Sequence, residues 1–191
     1  REDTIEFAID DDQSMGWISD FDSSRFERFF VVIDKEVEIK WGSLIRNKLD
    51  KHKKDIFYFK VDAVEESKSI SFYPKLVDFL ESRKCNLSDL VIAIGGGIVI
   101  DLVSFTCSTY MRALQFYCIP TTLIGQIDAS SAGKTCLNTK NSKNILGTFY
   151  YPLVVYNNIN FLDTNSRYHL RQGYSEVFKY GLLGSPKLID L

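Results

Sequence analysis

Five consecutive apolar residues, Leu90-Val91-Ile92-Ala93-Ile94, run directly into three glycines, Gly95-Gly96-Gly97. A run this short and apolar on both alternating faces suits a strand covered on both sides. A helical stretch predicted over 98–111 follows, which makes the segment a βα unit of a parallel sheet. The same alternation recurs along the chain. Strands are predicted over 4–9 (before the polar turn Asp10-Asp11-Asp12), 29–33 (ending at Asp34), 56–61, 116–119 (stopped by Pro120) and 153–156. Helical spacing marks 39–49 and Tyr73–Ser82. Beyond Asp163 the pattern turns helical through Arg167, Leu170, Tyr174, Val177 and Phe178. The expected class is therefore α/β, a mostly parallel sheet with flanking helices over 1–161, followed over 162–191 by the start of an all-helical domain.

Composition narrows the function classes. With 191 residues, 45% hydrophobic and 14% aromatic, the chain can pack one domain and part of another. A charged fraction of 25%, a net charge of −2 and no basic stripe argue against a nucleic-acid partner. No apolar run approaches the roughly 18 residues of a membrane span, and no signal peptide opens the chain, so no membrane partner and a cytoplasmic location are expected. Cys85, Cys107, Cys118 and Cys136 form no CxxC pair. They read as reduced thiols acting as small hydrophobes, not as a zinc site. His52 lies in a charged run and reads as solvent-facing, and Tyr110, Phe149, Tyr150 and Tyr151 read as packing residues.

Glycines between a strand and a helix let the backbone approach a diphosphate, which the free N–H groups of the helix start then receive. The turn is not a clean GxGxxG, and an ordinary tight βα turn also fits it. Asp101, read as lying on the first turn of the helix, would suit its dipole or hold ligand hydroxyls. Asp34, at a strand end, could hold a ribose hydroxyl or simply cap the next helix.

Four spaced segments carry a more specific signal: GGGIVIDLVSFTCSTYMR from Gly95, IPTTLIGQIDASSAGKTCLN from Ile119, SKNILGTFYYP from Ser142 and GYSEVFKYGLL from Gly173. In order and spacing they resemble 3-dehydroquinate synthase. Other sugar-phosphate cyclases and, more distantly, glycerol dehydrogenases share parts of them. The resemblance covers roughly half the chain and implies a Rossmann-like cofactor domain. It implies that Asp34 contacts the adenosine ribose of NAD, that Glu65 and Lys68 form an ExxK pair near the cofactor, and that Gly96, Gly97 and Asp101 hold its diphosphate and nicotinamide ribose. Thr121 and Thr122 would donate hydroxyls to it, and Lys143 would sit beside the cofactor and substrate. Asp128, Lys134, Asn144 and Lys179 would line the pocket of a phosphorylated sugar-acid substrate. Arg112 would reach the substrate phosphate of a neighbouring subunit, implying a homodimer. Glu176 would be one ligand of a zinc or cobalt ion. Each lysine taken alone fits a surface position, and Glu176 taken alone fits an ion pair with Lys179.

The chain departs from the family pattern in places. Thr139-Lys140-Asn141-Ser142 replaces a segment that usually carries a His and a Gly, Ala113 stands where a Gly follows YMR, and Ala132-Gly133 replaces a glycine pair. The family's two zinc histidines lie in the helical domain and are expected beyond Leu191, since only His52 and His169 occur and His169 matches nothing in the pattern. For the complete enzyme the resemblance implies a phosphate-eliminating carbon–oxygen lyase of the shikimate pathway, leading to the aromatic amino acids. In it NAD takes a hydride from a hydroxyl of 3-deoxy-D-arabino-heptulosonate 7-phosphate, phosphate leaves by β-elimination, the hydride returns, and an aldol closure gives 3-dehydroquinate. The isolated 191 residues are expected to be inactive. Rival readings are a cyclase acting on sedoheptulose 7-phosphate or glucose 6-phosphate, a metal-dependent alcohol dehydrogenase, and a nucleotide-binding fragment without activity.

Overall fold

The computed structural model describes residues 4–189. In chain order the elements are β1 (Glu6–Asp10), α1 (Trp17–Asp20), β2 (Arg28–Asp34), α2 (Lys35–Leu49), β3 (Asp55–Val61), α3 (Tyr73–Ser82), β4 (Leu90–Gly95), α4 (Gly97–Thr109), β5 (Phe116–Pro120), β6 (Lys134–Leu137), β7 (Leu146–Phe149), β8 (Val154–Asn158) and α5 (Arg167–Leu183). Six strands form one sheet in the order β1-β8-β5-β4-β2-β3, and every pairing in it is parallel. The short pair β6 and β7 is antiparallel and stands outside this sheet.

Burial of both faces accounts for the apolar runs. Phe29, Val31 and Ile33 of β2 join the core on one side with Leu90, Ile92 and Ile94 of β4, packed against Val37, Ile45 and Leu49 of α2. Phe30, Val32, Val91 and Ala93 face the other side, where Leu76, Phe79 and Leu80 of α3 and Val99, Leu102 and Val103 of α4 cover them. Most element limits agree with the sequence reading to within a few residues. The β6–β7 ribbon and α1 were not foreseen.

The topology opens a crevice. From β2 the chain moves outward to β3 through α2. From β4 it moves the opposite way, to β5, through α4. Helices α2 and α4 therefore leave on opposite faces, and the carboxyl ends of β2 and β4 are left uncovered between them. Ligands bind at such switch points in open α/β sheets.

Three sequence expectations are corrected. His52 is not solvent-facing: its Nδ1 lies 3.0 Å from Ser23 Oγ, its Nε2 lies 2.8 Å from Ile18 O, and its ring packs against Phe21 and Phe29. Phe149 is 80% exposed and does not pack in the core. Because α4 begins at Gly97, Asp101 opens the second turn, too deep to complement the helix N-terminus.

Candidate active site

The site lies over the crevice, where the ends of β2, β4 and β5 deliver Asp34, Gly95-Gly96-Gly97 and Thr121-Thr122. A cleft of about 480 Å³ is lined by Asp34, Glu65, Lys68, Gly96, Gly97, Asp101, Thr122, Asp128, Lys134 and Asn144, together with Cys136, His169 and Gln172. A second hollow of about 410 Å³ continues it outward past Asp34, Thr121, Thr122, Ser166 and His169. Together they make one long groove within the usual range for small-molecule sites.

The glycines differ in what they permit. A Cβ on Gly95 would lie 2.8 Å from Val99, and one on Gly96 would lie 2.9 Å from Thr122, so these two permit close packing of the turn. A Cβ on Gly97 would meet only Ala129, at 3.8 Å. Gly97 is thus the glycine whose missing side chain leaves room in the cleft. Asp34 caps α2, its Oδ1 accepting from Glu36 N at 2.9 Å, and it also lines both hollows. Burial pushes its carboxyl above the usual carboxylate range.

At the floor, Lys68 Nζ stands 2.5 Å from Asp101 Oδ2, both side chains largely buried. Burial penalises both charges. It raises the Asp101 carboxyl, with the lysine recovering only part of the shift. The Lys68 ammonium, penalised by the same burial, is lifted above its ordinary range by the carboxylate beside it.

Asn138 organises the next layer. Its Nδ2 donates to Glu65 Oε1 at 2.7 Å and its Oδ1 accepts from Asn144 N at 2.8 Å. It thereby fixes Glu65, whose carboxyl is lowered chiefly by that hydrogen bond, and holds Asn144 at a φ of 54°. Cys136 Sγ donates to Asn144 Oδ1 at 3.3 Å, so this cysteine belongs to the polar wall and not to an apolar core. Asp128 sits in a π-turn, Gly125–Ala129. The turn opens with Gly125 N donating to Thr122 Oγ1 at 3.2 Å.

Helix α5 closes the groove from above. A Cβ on Gly173 would lie 2.4 Å from Leu123 Cγ, so the helix lies as near as bare backbone allows. Tyr180 donates its hydroxyl to Asp128 Oδ1 at 3.1 Å. Residues 169, 172, 173, 176 and 180 share one face by helical spacing, and His169 and Gln172 reach the cleft.

Not every expected residue gathers here. Lys143 lies in a shallow groove with Thr139 and Ser142, with its Nζ 3.7 Å from Glu65 Oε1. Lys179 is ion-paired with Glu176, and neither lines the cleft. Arg112 follows the far end of α4, roughly 20 Å from the glycine turn at 1.5 Å per residue, with a positive φ of 68°. No group of three His, Cys, Asp or Glu side chains suited to a metal occurs among the described residues. Asn138, Cys136, His169 and Gln172 were missed. Only Asn138 and Cys136 had a signal, since both lie in the motif that supplies Lys134.

Residues 58–172 match the family model described as 3-dehydroquinate synthase N-terminal. A 3-dehydroquinate synthase of Sulfurisphaera tokodaii is 39% identical over 158 residues, covering 82% of this chain and 45% of that protein. The chain thus spans about half the length of the curated relatives it matches. A 2-epi-5-epi-valiolone synthase from Streptomyces hygroscopicus subsp. jinggangensis, solved with NAD+ and Zn2+ bound, superposes with a TM-score of 0.90 at 29% identity. That match covers 100% of this chain and 52% of the other. A 2-deoxy-scyllo-inosose synthase complexed with carbaglucose-6-phosphate, NAD+ and Co2+ shares the fold, with a TM-score of 0.82 at 19% identity over 91% of this chain and 48% of that one.

Proposed function

The chain belongs to the 3-dehydroquinate synthase family, and on that premise we propose that it forms the NAD-binding part, and one wall of the substrate pocket, of a cyclase. The reaction proposed for the whole protein converts 3-deoxy-D-arabino-heptulosonate 7-phosphate to 3-dehydroquinate and phosphate. The observation that carries this reading is the convergence of Asp34, Gly96, Gly97, Asp101, Asp128, Lys134 and Asn144 on a single cleft at the switch point of the sheet.

The groove fits a dinucleotide. It is long and open beside Gly97, and Asp34, a hydroxyl acceptor, stands where its inner and outer hollows meet. When bound, NAD supplies a hydride acceptor that is regenerated within the turnover. In this proposal Asp34 holds the adenosine ribose, Gly96 and Gly97 admit the diphosphate, and Asp101, steadied by Lys68, orients the nicotinamide ribose. Thr121 and Thr122 shape the floor, and Glu65 with Lys143 borders the cofactor side. Lys134 offers the substrate a cation, Asn144 a donor and an acceptor, and Asp128 an acceptor for hydroxyls. Arg112, outside this cleft, is assigned to the phosphate of a neighbouring subunit in a homodimer.

A divalent ion does not fit these residues by themselves, because the described residues assemble no shell. Glu176 is proposed as one donor of a zinc or cobalt site and Lys179 as its substrate-side neighbour, with the remaining donors in further sequence of the kind the relatives carry. Residues 162–191 then begin the helical domain that holds the metal. The four cysteines, free in the structure, support a reducing, cytoplasmic setting.

The valiolone synthase match favours one second reading, a cyclase acting on sedoheptulose 7-phosphate. Titration of the chain with NAD tests the cofactor assignment: single-site binding is expected, weakened at least tenfold in Gly97→Val. Product analysis of the full-length protein tests the rest. Phosphate released from the heptulosonate without net NADH, with 3-dehydroquinate formed, supports the first reading. Turnover of sedoheptulose 7-phosphate alone supports the second, and net NADH accumulation defeats both.

A further inference from the structure

One histidine, His169, lines the groove at its centre and has no role in the proposed function. His169 lies at the junction of the two hollows, lining both, and no ion pair or side-chain hydrogen bond of its ring occurs among the described residues. The only other residues common to both hollows are Asp34, Ala63 and Thr122. Thr122 packs on Gly96, so the junction lies where the glycine turn meets the groove. The backbone fixes the histidine there. Ser166 caps α5 by accepting from His169 N at 3.2 Å, and Gly173, one turn on, sets the helix hard against Leu123.

A dinucleotide laid along this groove carries its two negative charges at its middle, because the diphosphate joins the two nucleosides. With the adenosine ribose at Asp34, itself a junction residue, and the nicotinamide ribose at Asp101 in the inner cleft, the diphosphate between them passes the junction. The glycine turn offers backbone donors from one side, and the imidazole offers a ring N–H from the other. We propose that His169 is a cofactor-binding residue that donates a hydrogen bond to the diphosphate of the bound dinucleotide, clamping it between α5 and the glycine turn. This rests on the NAD reading above.

Calorimetric titration of the chain with NAD, ADP and adenosine tests it. In His169→Ala the affinities for NAD and ADP are expected to fall roughly tenfold or more, the size of one hydrogen bond to a charged group, while adenosine stays within twofold. His169→Lys, which puts another N–H donor at this position, is expected to recover most of the loss. Unchanged NAD binding in His169→Ala overturns the proposal and leaves the cofactor reading intact. An equal loss for adenosine assigns the residue to the shape of the groove and also overturns it. Failure of the unsubstituted chain to bind NAD removes the cofactor reading, and the proposal with it.

Discussion

Ala113 occupies a backbone state that costs any residue with a Cβ. Its φ is 151° and its ψ 79°, and it follows Met111 and Arg112, which also have positive φ. Ala113→Gly is expected to stabilise the chain by about 1 kcal/mol, read as a rise in Tm of about 3 °C for a chain of this size. Gly97→Ala is expected to leave Tm unchanged, since its Cβ meets only Ala129, and to weaken NAD binding, because the methyl enters the cleft. Asp101→Asn leaves the Lys68 ammonium buried without its carboxylate. It is expected to cost about 3–5 kcal/mol in denaturant unfolding, with the double change Lys68→Met, Asp101→Leu less harmful than the single one. At this scale the site was legible wherever a residue ends a strand. Asp34, Gly96, Gly97 and Thr122 follow apolar runs, so their place at the carboxyl edge could be read from order alone. His169 and Gln172 could not be read this way. Their position depends on how α5 rotates against Leu123, which no local pattern encodes.

Among the elements, the ribbon was the hardest to read, while α5, legible as a helix from its spacing, is the most informative to perturb. The ribbon strands KTCL and LGTF have four residues each, too few for a period of two to stand out, and the loop between them carries polar residues that read as coil. Helix α5 is held by little: its buried residues are Gly173 and Gly181, and Tyr180 is its hydrogen-bonded tie to Asp128. Large apolar side chains such as Tyr174, Phe178 and Leu182 are exposed along it. Gly173→Ala, whose new Cβ would overlap Leu123, is expected to raise hydrogen exchange along 167–183 by at least tenfold while the sheet strands keep their protection. Equal loss of protection in both would show that α5 and the sheet open as one unit.

For the molecule as a whole, the parallel sheet was legible because its central strands are buried on both faces and read as unbroken apolar runs. The order of the strands was not. Burial of thiols and hydroxyls in the core governs behaviour at high pH. Burial pushes the Cys85 thiol and the Tyr58 hydroxyl each up to about 12, and it raises Cys107 and Cys118 as well. In the unfolded chain these groups ionise at roughly 8.5 for thiols and 10 for tyrosine. Each folded value lies above its unfolded one, so the stabilisation is complete at neutral pH and is lost as pH rises through about 9 to 12. Denaturant unfolding between pH 7 and 11 is expected to show stability falling above pH 9, less steeply in Cys85→Ala.

The pairing of β1 with β8 has a consequence for how the chain is made. Glu6 lies opposite Val154, so β1 leaves the ribosome long before its partner exists. At 5–20 residues per second that interval is roughly 7–30 s, far longer than a helix or hairpin needs to form. Strands β2 to β5 can collapse in the meantime, whereas β1 must wait as nascent chain with Phe7 and Ile9 open to chaperones and to the strand edges of other chains.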